Sequence, residues 1–274
     1  MSIIRLTVMG LAVAGPLMAI SSAMADDLSR GSIKDAPLTS ASWTGPYVGV
    51  ALGAKWADTD WKTTSTSDLP GTIVDASSPR SYNPSGFRAG GYAGYNWQIA
   101  NWVWGVEADL AWAHSRETSA GIPGCSINCA GAAGPGVDSS SVQMQWDASL
   151  RGRLGVLIDP TLLMYGTGGV AWQNFKTSGT CQHSGSDPQC TSAAGTPFDT
   201  QTNSKTLTGW TIGAGLEKMY GNWLLRAEYR FSKFDDLKGV FPFSAPGVAA
   251  GTDTSRYNLS AETHVLTAGL AYKF

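Results

Sequence analysis

The stretch GYAGYNWQIANWVWGVEADLAWAH, residues Gly91 to His114, alternates in character residue by residue on both sides of one short break. After the break, one face is apolar with three tryptophans and the other carries two carboxylates: Trp102, Trp104 and Trp112 against Glu107 and Asp109. A period of two predicts β-strands. A strand that crosses a membrane in a barrel needs roughly 9–11 such residues, with aromatic side chains near both interfaces. The stretch therefore predicts strand, turn and strand, with the apolar face toward lipid.

The same period recurs along the chain and predicts eight strands. They cover Tyr47–Trp56, Phe87–Gln98, Trp102 to about Ser115, Val142–Leu157, Leu162 to about Phe175, Thr206–Lys218, Trp223–Phe231 and Leu259–Phe274. Long polar stretches of about residues 57–85, 116–141, 177–205 and 236–258 alternate with breaks of a few residues at 99–101, 159–160 and 220–222. On Val142–Leu157 the pattern assigns Met144, Trp146, Ala148, Leu150, Leu154 and Val156 to one face.

This alternation of long loops and short turns predicts the fold class. Outer-membrane barrels have an even number of antiparallel strands, short periplasmic turns and long external loops. We therefore predict an all-β protein, an eight-stranded antiparallel up-and-down transmembrane β-barrel over residues 44–274. The alternative is a soluble barrel of the lipocalin kind, which would bury its apolar face inward. In that alternative the inward face would be the tryptophan-rich one and not the one rich in charged residues. We therefore disfavour it.

The N-terminus has the features of an export signal. Arg5 precedes an apolar run, Leu6–Ile20, and Ala23-Met24-Ala25 forms a signal-peptidase site before Asp26. An N-terminal membrane anchor is the alternative, but the run is too short to span well and no stop-transfer pattern follows. We predict a signal peptide over residues 1–25, a periplasmic leader over 26–43 and a mature chain of 249 residues (274 − 25).

Composition narrows the function classes. The 33 glycines, 11 tryptophans and 15% charged residues suit many strands. Without Arg5 the mature chain has 18 basic and 21 acidic residues, a net charge of −3, and no basic run that indicates nucleic acid. No apolar stretch after residue 25 approaches 18 residues, so a helical span is excluded.

Four cysteines form two close pairs inside Gly/Ser/Pro-rich loops: Cys125 with Cys129, and Cys181 with Cys190. In an exported protein these predict a disulfide within each loop. Pairing between the two loops stays open. A four-cysteine zinc site is the other alternative, but the spacings lack a CxxC knuckle. We therefore expect no metal and no cofactor.

At this point the sequence resembles a known family, the small outer-membrane proteins of alphaproteobacteria described as porin-family proteins, whose barrel is similar to OmpA and OmpX. The resemblance rests on SWTGPYVGVALGAKW (42–56), GGYAGYNWQIANWVWGVEADLAW (90–112), LRGRLGVLIDPTLLMYGTGGVAW (150–172), TGWTIGAGLEKMYGNWLLRAEYRF (208–231) and HVLTAGLAYKF (264–274). It implies the outer membrane as location, with outer-membrane lipid and lipopolysaccharide as partners.

The same resemblance implies an insertion signature at the end of the chain. Tyr272 and the terminal Phe274 match the signature that the outer-membrane insertion machinery reads in such barrels. Position 72 is not part of this signature. Unlike full-length OmpA, the chain is expected to have no peptidoglycan-binding domain after Phe274.

Nine charged residues fall on the strand faces opposite the apolar ones, and we assign them to the lumen: Glu107, Asp109, Asp147, Arg151, Arg153, Glu217, Arg226, Glu228 and Arg230. Both signs occur on neighbouring strands, so we expect them to pair across the barrel. Eight strands leave an interior just wide enough for side chains, which favours a structural ion-pair network. The alternative is a selectivity lining along an ion path.

Other polar residues and tryptophans are further candidates. Ser260, Glu262 and His264 share one face of the last strand, but residues two apart stand roughly 6.6–6.8 Å from each other, too far for proton transfer. His114 and His183 lie at or in different loops, which disfavours a hemin or metal site. Near the short turns, three outward tryptophans predict a periplasmic aromatic girdle: Trp97, Trp102 and Trp223.

The sequence therefore predicts a non-enzymatic barrel that supports envelope integrity and presents its loops outside the cell. A narrow pore for small solutes is the first alternative. The second alternative, which the family resemblance implies, is an adhesin or hemin-binding surface protein. No external ligand can be named, because the loops that would bind it carry the least pattern.

Overall fold

The computed structural model describes residues 42–66, 74, 76–124, 139–182, 198–243 and 253–274. Within these residues it has nine strands: β1 (Gly45–Thr66), β2 (Arg80–Tyr82), β3 (Ser85–Ile99), β4 (Trp102–Ala120), β5 (Ser139–Asp159), β6 (Leu162–Gln182), β7 (Phe198–Tyr220), β8 (Trp223–Phe243) and β9 (Asp253–Lys273). No helix in this part of the chain is long and apolar enough to cross a membrane.

Eight of these strands close into a ring. Neighbours from β3 to β9 pair antiparallel in chain order, and β1 pairs with β3 on one side and with β9 on the other. The short β2 lies beside the far end of β1, where Thr59 pairs with Tyr82. It continues the line of β3 after an interruption at Pro84, which has no N–H to donate to the ladder. The predicted eight-stranded antiparallel barrel is confirmed.

The two ends of the ring differ in their connections. At the inner end, two-residue links join β3 to β4, β5 to β6 and β7 to β8. In the last of these links Gly221 takes a φ of 60°, which glycine adopts without steric cost. At this end β1 begins and β9 ends, and Tyr47 pairs there with Lys273. Short turns and termini lie on the periplasmic side of outer-membrane barrels, so the opposite, outer end faces the exterior.

The outside of the inner half of the barrel is apolar. Leu150, Leu154 and Ile212 are more than half exposed along this band, as expected for side chains that face lipid. At its upper border every strand of the ring contributes one outward ring side chain: Trp56, Phe87, Trp112, Trp146, Trp172, Trp210, Phe231 and His264. We call this set the outer girdle. Above it, most of the described outward positions are polar or charged, and the strands continue to their outer ends.

The strands are longer than the sequence predicted. The stretch predicted as a loop from residue 57 contains the last ten residues of β1 and all of β2, and β8 runs on to Phe243. Likewise β6 reaches Gln182, β7 begins at Phe198 and β9 begins at Asp253. The prediction was wrong here because the apolar residues change sides above the outer girdle. On β8 the outward Phe231 gives way to the inward Phe234, so a single apolar parity ends while the strand does not.

One predicted facing was also wrong. Met144 was assigned to the outward face of β5, but it is fully buried inside the barrel. A register shift lies between Met144 and Asp147, so the inward positions are odd residues below this bulge and even residues above it. Leu150 and Leu154, below the bulge, face outward as the sequence predicted.

Candidate functional site

The lumen of the inner half holds the largest group of charged side chains in the described part of the chain. All nine residues that the sequence assigned to the lumen point inward, and their side chains are at most 6% exposed. Odd positions of β4 and β7 and even positions of β8 face the lumen, because side chains alternate along a strand. Two further cations, Lys55 on β1 and Arg88 on β3, join them there. We call these eleven side chains the lumen charge network.

Glu107 is the centre of the network's inner part. Its Oε1 accepts a hydrogen bond from Arg151 Nη2 at 2.6 Å, and its Oε2 lies 2.7 Å from Arg226 Nη2. Tyr47 donates its hydroxyl hydrogen to Oε2 at 2.7 Å. Arg226 also reaches Glu217, whose Oε2 is 2.8 Å from Arg226 Nε. The guanidinium of Arg226 therefore bridges two carboxylates from different strands.

Asp147 is the centre of the outer part. It lies 2.8 Å from Lys55 Nζ, 2.6 Å from Arg88 Nη2 and 3.1 Å from Arg230 Nη2. Arg88 and Arg230 both extend to Asp109 as well, at 2.5 Å and 2.8 Å. Lys55 also donates to Gln173. Two carboxylates thus hold three cations that come from β1, β3 and β8.

Glu228 and Arg151 connect the two parts. Arg151 Nη1 donates to Glu228 at 2.6 Å, and Tyr165 donates its hydroxyl to the same carboxylate at 2.8 Å. Arg153 lies with its guanidinium carbon 4.1 Å from the centre of the Tyr165 ring, close enough for a cation–π contact. Its Nη2 donates to Glu217 at 3.2 Å.

The network is nearly balanced in charge. It contains six cationic and five anionic side chains, an excess of one positive charge (6 − 5): Lys55, Arg88, Arg151, Arg153, Arg226 and Arg230 against Glu107, Asp109, Asp147, Glu217 and Glu228. An isolated charge inside a barrel in lipid is strongly disfavoured, whereas a charge with several short partners is compensated. Each carboxylate here has at least two cations within 4.0 Å.

Apolar layers lie below and above the network. The inner plug comprises Trp43, Tyr47, Ala51, Tyr92, Val103, Leu163, Tyr165, Met219, Leu224 and Ala271. The outer plug comprises Ala57, Trp61, Tyr82, Ile122, Val142, Met144, Ala171, Phe175, Leu207, Phe234, Leu237, Phe241, Tyr257, Leu259 and Ala261. In the outer plug Trp61 stacks on Tyr257 with ring centres 4.3 Å apart. A cavity of about 20 Å³ beside Tyr92 and Arg226 has room for about one water molecule.

The inner plug includes a residue from the segment that the sequence predicted to be leader. Trp43 is completely buried, its backbone N–H donates to Gln98 Oε1 at 2.8 Å, and its indole donates to the Pro160 carbonyl at 3.2 Å. The sequence carried a usable signal, because Trp43 continues the inward parity of Tyr47 on β1. The rest of the predicted leader and the whole predicted signal peptide, residues 1–41, lie outside the described residues.

The structure places the three polar residues on the face of β9 that were considered as a catalytic set. All three face outward from the barrel, and Glu262 pairs with Lys233 at 3.0 Å. His264 Nε2 lies 3.3 Å from Asp58, and its Nδ1 lies 2.8 Å from the Tyr229 hydroxyl. Ser260 pairs in register with Asp60, away from the histidine ring.

The C-terminal signature lies at the inner end of the barrel. Tyr272 and Phe274 face outward there, with Phe274 68% exposed. Residue 72, which is not part of this predicted signature, is a threonine. Thr72 falls in the stretch between β1 and β2 and lies outside the described residues. The signature therefore rests on the two C-terminal aromatic residues alone.

The remaining candidates are placed as follows. Trp102 and Trp223 are exposed on the outside near the inner turns, and Trp97 stacks on Trp104 with ring centres 4.4 Å apart. His114 is exposed on β4, just above the outer girdle. His183, Cys125, Cys129 and Cys190 lie outside the described residues, as does the side chain of Cys181. Among the described residues, no three His, Cys, Asp or Glu side chains are grouped to hold a metal ion.

The chain is similar in sequence to known outer-membrane proteins. The family described as outer membrane protein beta-barrel domain matches residues 13–274. The "31 kDa outer-membrane immunogenic protein" of Brucella melitensis is 30% identical over 262 residues, which cover 94% of this chain and 95% of the relative. The "25 kDa outer-membrane immunogenic protein" of Brucella abortus is 28% identical over 234 residues, covering 85% and 80%. Among solved structures, the outer membrane protein OprG from Pseudomonas aeruginosa is 12% identical with a TM-score of 0.46, covering 86% of this chain and 98% of OprG.

Proposed function

The chain belongs to the outer membrane protein beta-barrel domain family, and on that premise we propose that it is a structural barrel of the outer membrane that does not conduct solutes. Its contribution is to the integrity of the envelope. The same barrel holds a polar outer half above the membrane surface and presents the connections between strands to the exterior.

The filled lumen is the observation that carries this proposal. A solute that entered from outside would meet the outer plug first, where Trp61 and Phe175 are at most 1% exposed. Next comes the lumen charge network, in which every arginine is held by at least one carboxylate within 3.2 Å. Below it lies the inner plug with Trp43. Barrels that hold an aqueous channel need about 16–18 strands, and this ring has eight.

Conductance measurements test the proposal. In planar bilayers the wild-type protein is expected to give no stable, large conductance steps. Arg226→Ala should leak and unfold at a lower temperature, because it frees Glu107 and Glu217 and removes a guanidinium from the layer that fills the lumen. The matched control is Lys233→Ala, which removes an exposed cation paired to Glu262 on the outside.

A narrow pore is the competing function, supported by the polar lumen and its cavity beside Arg226. In a pore, Arg226 would line the ion path, so Arg226→Ala should change the ion preference of wild-type conductance at little cost in heat stability. Stable wild-type conductance would contradict the structural proposal. A wild-type barrel that is silent, together with a leaky and less stable Arg226→Ala, would support it.

Surface display is the second part of the proposal. The outer half of each strand extends above the outer girdle with polar side chains outside, and the Brucella relatives are named immunogenic proteins. Antibody binding to intact cells, before and after shortening of residues 125–138 or 183–197, tests whether these stretches are presented. The adhesin and hemin-binding interpretations stay predictions from the sequence. So do the disulfides that were predicted in these stretches.

Recognition by the insertion machinery is the third part. Phe274 is exposed at the inner end next to Tyr272, with ring centres 5.1 Å apart. We expect Phe274→Ser to lower the amount of barrel assembled in the outer membrane of cells. It should leave spontaneous folding into detergent nearly unchanged, since an exposed terminal ring packs little.

A further inference from the structure

The outside of the outer half has two faces of different charge. The first, on β4 to β7 above the outer girdle, has the cations Arg116 and Lys176 and the imidazole of His114. None of its described outward side chains is a carboxylate: the other positions carry Thr118, Ala120, Ser139, Ser141, Gln143, Gln145, Asn174, Ser178, Thr180, Thr200, Thr202, Ser204, Thr206 and Thr208. Glu117 has the opposite, inward parity, and its carboxylate accepts a hydrogen bond from the backbone N–H of Asn83.

The second face, on β8, β9 and β1, mixes both signs. Its outward side chains include five carboxylates and four cations: Asp58, Asp60, Asp235, Asp236 and Glu262 with Lys62, Lys233, Lys238 and Arg256. Three of these carboxylates are engaged by neighbours: Glu262 by Lys233 at 3.0 Å, Asp58 by His264 at 3.3 Å and Asp60 by the Ser81 hydroxyl at 2.7 Å. An anion would be repelled by the excess of carboxylates here, whereas nothing on the described part of the first face repels it.

The cations of the first face lie in one row across the sheet. Arg116 pairs in register with Gln143, Gln143 with Lys176, and Lys176 with Ser204. Residues that pair across strands point to the same side, and adjacent strands lie roughly 4.7–4.9 Å apart, so Arg116 and Lys176 flank Gln143 at roughly 9.5 Å from each other. Ser141 accepts a hydrogen bond from Arg116 Nη2 at 3.2 Å, which leaves the other guanidinium hydrogens directed elsewhere.

Four tryptophans lie directly below this row. The outer girdle has Trp112, Trp146, Trp172 and Trp210 on β4 to β7, and Trp112 pairs in register with Trp146. Tryptophan prefers the boundary between hydrocarbon and headgroup, so the row of cations sits at the headgroup level. On the second face only Trp56 occupies the same level, beside Phe231 and His264.

We propose that this face of β4 to β7 binds a phosphorylated glycolipid of the outer leaflet, the lipid A part of lipopolysaccharide. Arg116 and Lys176 contact a phosphate on the sugar headgroup, and Gln143 between them contacts the sugar hydroxyls or the phosphate. The acyl chains lie along Trp112, Trp146 and the apolar band below. Charge complementarity selects this lipid, because its headgroup is anionic and the described part of the face carries no carboxylate. The proposal rests on the outer-membrane location and does not depend on whether the lumen is closed.

The test measures binding of purified lipid A to the folded barrel in detergent, by native mass spectrometry and by the shift in thermal midpoint. Wild-type protein should retain bisphosphorylated lipid A and be stabilised by it. The double variant Arg116→Gln, Lys176→Gln should bind it about tenfold or more weakly, since hydrogen bonds to ionised groups are the strong ones. The control is Lys62→Gln, Lys238→Gln, which removes two exposed cations from the second face and should bind as wild type does.

Two further ligands separate phosphate recognition from general lipid binding and from anion binding. Dephosphorylated lipid A should bind wild-type protein as weakly as bisphosphorylated lipid A binds the double variant. Inorganic phosphate at millimolar concentration should not displace the lipid. Equal weakening in the control variant, equal binding of dephosphorylated lipid A, or displacement by inorganic phosphate would each overturn the proposal. All variants change outward side chains, and their heat-dependent gel mobility verifies that they are folded.

Discussion

In the inner half of the barrel, between the short turns and the outer girdle, apolar side chains cover the outside while ionic side chains fill the inside. In the outer half, tyrosines, phenylalanines and leucines fill the inside and polar side chains cover the outside. On β1, Leu52 is 52% exposed and Lys55 is 1% exposed in the inner half, whereas Trp61 in the outer half is 1% exposed. One continuous strand therefore carries two opposite patterns.

The difference follows from the solvent on each side of the outer girdle. Lipid surrounds the inner half, so apolar side chains face outward without a cost in free energy. The polar side chains inside must find their hydrogen-bond and ion-pair partners within the lumen. Water surrounds the outer half, so burial of apolar surface inside it is favourable, as in a soluble barrel. The lumen charge network is thus expected to stabilise the inner half, and the outer plug the outer half.

Glu107→Ala should give the largest loss of stability. It removes the carboxylate that Arg151 contacts at 2.6 Å and Arg226 at 2.7 Å, and it raises the excess of positive charge in the lipid-enclosed lumen from one to two. Breaking a buried pair by removal of one partner costs about 3–5 kcal/mol, and we expect the upper end of that range because two cations are affected. Urea unfolding from lipid vesicles measures it. Glu262→Ala, which breaks an exposed pair with Lys233, is the control and should cost less than about 1 kcal/mol.

These charges show how far the sequence predicted the site. Nine members of the network were found from strand parity alone, because their strands alternate strictly in the inner half. Lys55 and Arg88 were missed, although Lys55 has the parity of Tyr47 and Ala51, opposite to the exposed Val48 and Val50. The signal was there, but each is a single cation on a face of small residues. Which carboxylate each cation contacts depends on register between strands, which one strand's pattern does not contain.

The outer half was predicted much less well, for a physical reason. The outer parts of β1, β7 and β8 were predicted as loops. Their composition is typical of loops, and their apolar residues lie on the opposite face from those of the inner half. The bulge between Met144 and Asp147 reversed one facing, and no local signal marks it. Trp43 was predicted to belong to the leader because the preceding residues lack any period. The alternation of apolar and polar residues predicted the strands correctly within the lipid-facing half. It failed above the outer girdle, where water replaces lipid around the barrel.

Trp61→Ala tests whether the outer plug stabilises the outer half. The indole stacks on Tyr257 and lies with its ring centre 5.7 Å from Phe241, so its removal leaves a cavity that water cannot fill favourably. Replacing a buried aromatic side chain by alanine costs about 3–5 kcal/mol. Urea unfolding provides the value. Trp112→Ala, at an outward position that is 62% exposed, should cost clearly less, and equal losses would contradict the distinction between the halves.

Arginine at an outward position should discriminate between the halves directly. Leu150 is 56% exposed on the apolar band, between Ala108 and Val170 in register. Leu150→Arg should cost roughly 2–4 kcal/mol, as for arginine near the bilayer midplane. Ser260→Arg, outward in the outer half and in register with Asp60, should change stability by no more than about 0.5 kcal/mol. If both substitutions cost the same in vesicle-folded protein, the outer girdle does not mark the membrane boundary.

The smallest expected effect lies at the inner end, in the turn between β5 and β6. Thr161 donates its hydroxyl and its backbone N–H to Asp159 Oδ1, each at 2.7 Å, and Lys218 Nζ lies 3.2 Å from the same carboxylate. Chiefly through the Thr161 hydroxyl, these donors lower the pKa of Asp159 to about 2.

Because the pKa of Asp159 is lower in the folded state than its ordinary value of about 4, its contribution to stability is present above pH 4 and is lost as the pH falls toward 2. Asp159→Asn should therefore unfold slightly more easily than wild type at pH 6, and the two proteins should unfold alike near pH 2. Urea unfolding at both pH values measures the difference, with Asp236→Asn as a control on the exposed outer half. A wild-type advantage that persisted unchanged at pH 2 would mean that the turn is held by something other than the ionised carboxylate.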